Sequence, residues 1–382
     1  MLALVAACEN TAPPESVGDF GTPLPGLDSA RLAVFEQGRT LFDTDFTPEE
    51  GLGPLFNQRR CSSCHDLPTV GGEGEEPITK ATRYDGPGKC DLLIEFGGDN
   101  IQESATPLLQ ALGVPFEEIP DTANAIAAIR PPSLYGVGLI EAIREADIRA
   151  AEDPDDRDSD GISGKAGLTR DGHMGRFGKK AEFANLPDFV DGAIRFELGI
   201  TTPGHPFEET INGRPVPPES DPAEDPEIDA RRLGMLTDYV RYLAAPARAV
   251  MESAAAADTV ERGERVFEAI GCTACHTPAF TTGSSPVEAL SGRTVRLYSD
   301  LLLHDMGEDL ATACGLNASP SEWRTAPLMG LRSRINYMHD GRAGSYDRAL
   351  RLHGGEAARA RAGYFQLSET DQTALFRFLA SL

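Results

Sequence analysis

The chain has 382 residues, 40% hydrophobic and 25% charged, the balance of a folded globular protein with room for two or three domains. Its 60 Asp and Glu against 35 Lys and Arg leave a net charge of −25, which repels phosphate backbones and anionic headgroups and argues against nucleic-acid binding. No apolar stretch approaches the roughly 20 residues of a membrane-spanning helix, so none is expected.

Residues 1–8, MLALVAAC, look like the end of a bacterial lipoprotein signal, with Val5, Ala6 and Ala7 preceding Cys8. Cys8 is the expected lipid anchor; the other reading is a trimmed leader with a chance Ala-Cys. Residues 9–28, rich in Pro and Gly, read as a flexible tether.

From residue 29, apolar Leu32, Phe35, Leu41 and Phe42 recur at helical spacing and lead into CSSCH, Cys61 to His65. The same order returns later, where VERGERVFEAIGC runs into CTACH, Cys272 to His276. CxxCH is the attachment signature of a c-type haem, and two copies in a chain with seven Cys and seven His are no coincidence. Two thiols one turn apart each add to a porphyrin vinyl group, and the adjacent His binds iron beneath the ring. A zinc site wants four N or S ligands, and a dithiol redox pair needs no trailing His. Two covalently bound haems are therefore predicted, on Cys61, Cys64, His65 and on Cys272, Cys275, His276. Haem attachment outside the cytoplasm then implies an exported, periplasmic protein.

The spacing predicts a mainly α fold with few, short strands: two cytochrome c-like haem domains with long ordered loops and insertions, over residues 29–245 and 259–382. Asp- and Gly-rich residues 152–175 and Pro- and Glu-rich residues 201–229 read as insertions on the first domain. Ala244 to Asp258 reads as the connection. Asp156, Asp158, Asp160 and Gly161 match the first half of a calcium loop, D-x-D-x-D-G, but position twelve is Gly167, so a closing ligand must come from elsewhere. The alternative is a solvated acidic turn. Cys90 and Cys314 remain after the haem cysteines and Cys8; an oxidising compartment favours a structural disulfide between them over two buried thiols. At the carboxyl end, Ser368 and Asp371 have capping-box spacing ahead of Leu375, Phe378, Leu379 and Leu382 on one face.

GLGPLFNQRRCSSCH, RPPSLYGVGLIEAI from Arg130, DSDGISGKAG, GRFGKKAE from Gly175, LYSDLLLHDMGEDLA from Leu297, EWRTAPLMGLR from Glu322, YMHDGRA from Tyr337 and HGGEA from His353 together carry a resemblance. The chain resembles the bacterial di-haem cytochrome c peroxidase superfamily, in particular the branch called di-haem or thiol oxidoreductases. The likeness runs over nearly the whole chain. One departure is Lys179, where that branch usually carries Trp. The thiol part of the name has no support, since no other cysteine pair has redox-motif spacing.

The resemblance implies roles. Peroxidases of this kind bind the second iron through a Met 14 residues beyond the His of a YFHDG-like motif, and counting 14 from His339 reaches His353. The second haem is thus expected between His276 and His353, a closed pair suited to electron transfer. In the alternative, His353 only caps its helix and Met338 or Met306 takes the iron. No His lies between His65 and His173, so the first haem is expected to be open, with His173, Met174 and Lys180 the residues able to close it. Glu141 is the candidate general acid/base above it, the bland alternative being a surface carboxylate. His304 and His339 are expected beside the haems rather than on the irons, and Arg130, Arg324 and Arg342 beside propionates. Trp323 either lies between the haems or is a packed indole. The expected function is peroxidase-like: a small redox protein of the cytochrome c or cupredoxin type feeds the second haem, and the first reduces peroxide. The alternatives are a di-haem electron carrier and an oxygen-dependent oxygenase.

Overall fold

The computed structural model describes residues 13–382. The expected signal, Cys8 and the start of the tether lie outside them. About a third of the chain is helical, in ten α-helices and nine short 3₁₀ helices among the described residues, and most strands have two or three residues. None of these helices is long and apolar enough to cross a membrane.

The expected tether is corrected by its described part, residues 13–28, which is a packed strap. Val17–Gly18 pairs in parallel with Ala245–Pro246, and Thr294 bonds to Pro14. The strap holds because it is not wholly polar: Leu24 is buried, and the Phe20 ring lies 5.4 Å from that of Tyr135.

Helix α1 (Ser29–Phe42) starts on the Asp28 side chain, which accepts from Arg31 N, a cap worth ~1 kcal/mol. It buries Phe35, Gly38, Leu41 and Phe42, whereas Leu32, expected on that face, is exposed. Residues 78–129 form a sheet the sequence did not announce: Ile78–Tyr84 pairs antiparallel with Cys90–Asp91, Asn100–Ile101 and Ala125–Ile129. The last strand alternates buried and exposed, but its AIAAI composition gives little β signal. Helices α2 (Val137–Glu141), α3 (Leu186–Leu198) and α4 (Ala230–Arg241) complete the first half. The two predicted insertions are largely irregular.

Helix α5 (Ala254–Ala269) begins at the run of alanines, capped by Ser253, so Ala254 to Asp258 is helix rather than connection. Alanine's high helix propensity accounts for the difference. Helix α6 (Tyr346–Leu352) follows, and α7 (Glu369–Leu379) closes the chain, capped by Ser368 through Asp371 N as its spacing predicts.

Both halves repeat one packing device. On α1, a Cβ at Gly38 would lie 2.4 Å from Met235 O on α4; on α5, one at Gly263 would lie 2.0 Å from Ala374 O on α7. Only glycine permits these crossings. The cores are not cleanly partitioned: the larger runs from Leu24 to Leu243 and also takes Leu290, Val295, Leu297, Leu301 and Leu302, while the smaller gathers Val260, Phe267, Tyr364 and Phe378. Cys90 and Cys314 form the predicted disulfide, joining the sheet of the first half to the loop between the paired strands Leu303–Asp305 and Glu322–Arg324.

Candidate functional site

Each CxxCH motif begins with one 3₁₀ turn, Cys61–Ser63 and Cys272–Ala274, and its thiols are free of disulfides. Burial pushes the thiols of Cys61, Cys64 and Cys272 up to about 12, so they stay protonated rather than forming a redox-active thiolate pair. His65 donates Nδ1–H to Gly72 O at 2.9 Å, and His276 to Tyr298 O at 2.8 Å. A carbonyl only accepts, so Nδ1 carries the proton in both rings and Nε2 is left free to bind a metal. Burial lowers both imidazoles, His276 to about 4, which keeps them neutral. Phe42 of α1 lies 6.1 Å from the His65 ring and Phe267 of α5 lies 6.0 Å from His276. The two motifs are thus held by the same parts.

Cys272, Cys275, His276 and His353 line one cavity of ≈ 540 Å³, within the size range of cofactor sites. His353 ends α6 and donates Nδ1–H to Ala349 O at 2.8 Å. It does cap its helix, but through Nδ1 alone, which leaves Nε2 for a metal. Met306 and Met338 line the same cavity.

The cavity continues toward the first motif along Arg130 to Tyr135 and Arg176 to Lys179. Here Lys179, Arg130 and Arg334 gather about one carboxylate, Glu73, with Arg324 beside Lys179 and Arg334. Arg334 Nε has no hydrogen-bond partner and lies 3.6 Å from Glu73. Burial, with Arg334 and Arg324 close by, pushes the Lys179 ammonium down to about 7, while burial raises the Glu73 carboxyl. Basic groups outnumber carboxylates along this stretch of the cavity wall, and the carboxylates of a porphyrin would add negative charge there. The residues present therefore fit haem: thiols for attachment, neutral imidazoles for iron and cations for propionates.

His304 and His339 line the cavity. His339 stacks on Trp323, ring centroids 3.8 Å apart at 11°, with Lys180 Nζ 3.5 Å from the indole centroid. Trp323 donates to Leu310 O and is both packed and cavity-lining.

Other expectations are corrected. Glu141 does not line the cavity: Oε2 takes Arg241 Nε at 2.7 Å and Oε1 takes Leu186 N, the first residue of α3, at 3.0 Å. It sits at the end of α2 with its carboxylate turned to α3 and α4, so it ties helices together. The residues able to close the first iron are engaged elsewhere. His173 is exposed beside Asp171, Met174 is in the larger core, and Lys180 donates to the carbonyls of Ser319, Pro320 and Glu322. Arg342 is bound to Asp340 and Asp309 O, away from the cavity, unlike Arg130 and Arg324. Asp156, Asp158 and Asp160 bring carboxylate oxygens within 4.8 Å of one another.

Sequence reasoning missed Glu73 and Arg334. Nothing in GGEGEE distinguishes Glu73 from Glu75 and Glu76.

Two CxxCH turns of one design, the second opening on a cationic cavity that the first does not line, are the marks of a di-haem protein. The chain belongs to the family described as "Di-haem oxidoreductase, putative peroxidase", whose sequence model matches residues 125–382, including the second motif. A search of curated proteins finds no match. Similar solved structures include hydrazine synthase from Kuenenia stuttgartiensis (14% identity, 100% of each chain covered, TM-score 0.43). A MauG-like protein associated with microbial copper homeostasis also matches (12% identity, 100% of this chain and 95% of that chain, TM-score 0.41). The diheme peroxidase BthA from Burkholderia thailandensis is a third (15% identity, 97% and 93% covered, TM-score 0.35).

Proposed function

We propose that this chain is an exported di-haem peroxidase-like oxidoreductase whose second haem transfers electrons and whose first haem reduces peroxide. When bound, the haems would supply one-electron storage and an iron able to take a small oxidant. Cys61, Cys64 and His65 hold the first; Cys272, Cys275, His276 and His353 hold the second. Each half serves as one cytochrome c-like haem domain. The observation that carries this reading is an asymmetry: His353 offers a free Nε2 in the cavity of the second motif, whereas His173, Met174 and Lys180 are bound elsewhere.

The protein's own part is to hold these groups. Gly72 O and Tyr298 O fix the imidazole tautomers, and Arg130, Lys179, Arg324 and Arg334 neutralise carboxylates between the motifs. A small redox protein with a basic face serves as donor to this acidic surface. The Asp156–Asp158–Asp160 turn is a calcium site next to the cavity, which Asp160 lines.

Ferric spectra and cyanide binding test the reading. One high-spin haem that binds cyanide beside one inert low-spin haem, with peroxide turnover by a reduced cytochrome, is the expected result. Two inert low-spin haems would instead make the chain an electron carrier.

A further inference from the structure

A buried relay joins the second CxxCH turn to the loop that carries His353. Asp300 donates its backbone N–H to Cys275 O at 2.8 Å, and its carboxylate accepts from His304 Nε2 at 2.9 Å. On its other edge, His304 Nδ1 lies 2.7 Å from Glu356 Oε2. The His304 and Asp300 side chains are 3% and 1% exposed. With a carboxylate against each nitrogen, the ring donates from both and cannot rotate without breaking a charge-assisted bond.

Glu356 lies three residues beyond His353, and its remaining bonds fix this loop. It accepts from Asp305 N at 3.1 Å, and from Ser163 N at 3.1 Å and Ser163 Oγ at 2.9 Å. Gly355, at φ 52°, lies so close to Asp305 that a Cβ there would come within 2.1 Å of the Asp305 carbonyl. The loop is therefore docked on strand Leu303–Asp305 from one side and on Ser163 from the other. An apolar contact would fill the same space without the desolvation cost of three buried charged groups. The charged chain adds direction: a fixed path from Cys275, beside His276, to the turn after His353.

We propose that Asp300, His304 and Glu356 form a brace that sets the separation of the two ligand-bearing loops, so that His276 and His353 would both be held in place to bind the second haem. His304 and Glu356 are positioning residues. The inference rests on the reading of His353 as the second ligand.

The test measures the reduction potential of the second haem and carbon monoxide binding to it in the ferrous holoprotein. The variants are His304→Gln, Glu356→Gln and Ser163→Ala, with His353→Ala as reference. The two brace variants are expected to retain both haems, bind carbon monoxide at the second about tenfold faster and shift its potential, as weakened restraint at one hydrogen bond implies. Ser163→Ala, the mildest change, shifts both readouts the same way by less and decides the matter should His304→Gln fail to mature. A lower melting temperature with an unchanged second-haem potential and carbon monoxide rate overturns the brace. Should His353→Ala itself leave the second haem closed, the ligand reading fails; should it open that haem while the brace variants do not, only the brace fails.

Discussion

His353 donates its Nδ1–H to the carbonyl of Ala349, one turn back in the same helix and 2.8 Å away. That bond fixes the imidazole plane and the tautomer, and burial holds the ring neutral. His353→Met should raise the second haem's potential by a fraction of the ~0.8 V that axial ligands span. Redox titration checks this, and an unchanged midpoint removes His353 from the iron.

Glu141 bonds Arg241 and Leu186 N at once, with its side chain 22% exposed and that of Arg241 19% exposed. Glu141→Gln weakens the tie between α2, α3 and α4. A stability loss of ~1–3 kcal/mol is expected, with peroxide turnover per haem unchanged. Denaturation and steady-state rates measure the two, and a large fall in turnover with normal stability would return Glu141 to the chemistry.

The Cys90–Cys314 disulfide closes a loop of 224 residues in sequence separation. Cys314→Ser should cost about 2–5 kcal/mol by releasing the unfolded chain, while both haems stay attached. Urea denaturation with haem quantification tests this; haem loss with unchanged stability would show the bridge serves the site instead.

His304 is pushed up to about 12: burial favours the neutral ring, but the bonds to Asp300, Cys275 and Glu356 outweigh it. Asp300 and Glu356 face the ring from either edge, with Cys275 and His276 close by. The unfolded value is near 6.5. A raised folded value means that the stabilisation is whole below ~6.5 and is lost as pH climbs toward about 12. Unfolding free energy should therefore fall more steeply from about pH 7 to 10 in the native chain than in His304→Gln. Parallel curves would mean that the ring does not hold its proton.

Local chemistry made the attachment sites legible. CxxCH specifies thiol spacing and a following imidazole within five residues, so it is recognised without any distant contact, whereas the His276 Nδ1 bond to Tyr298 O, 22 residues on, is not. The order of helix then motif was visible as a repeat, though not the glycine crossings of α1 and α5 that accompany it. The sheet of residues 78–129 was hidden because its strands pair across loops and one is largely alanine. Glu141 misled for a related reason: position in a motif says which helix carries a carboxylate, not which way it points, and Arg241 lies 100 residues away.

The sequence by itself determined the two CxxCH motifs and the di-haem class they point to, because such a motif depends only on residues adjacent in the backbone. Only the tertiary structure decided which carboxylates, cations and imidazoles meet around them. Glu73 with Arg334 and His304 with Glu356 are encounters across long stretches of chain, set by packing and by the demand that buried charges find partners.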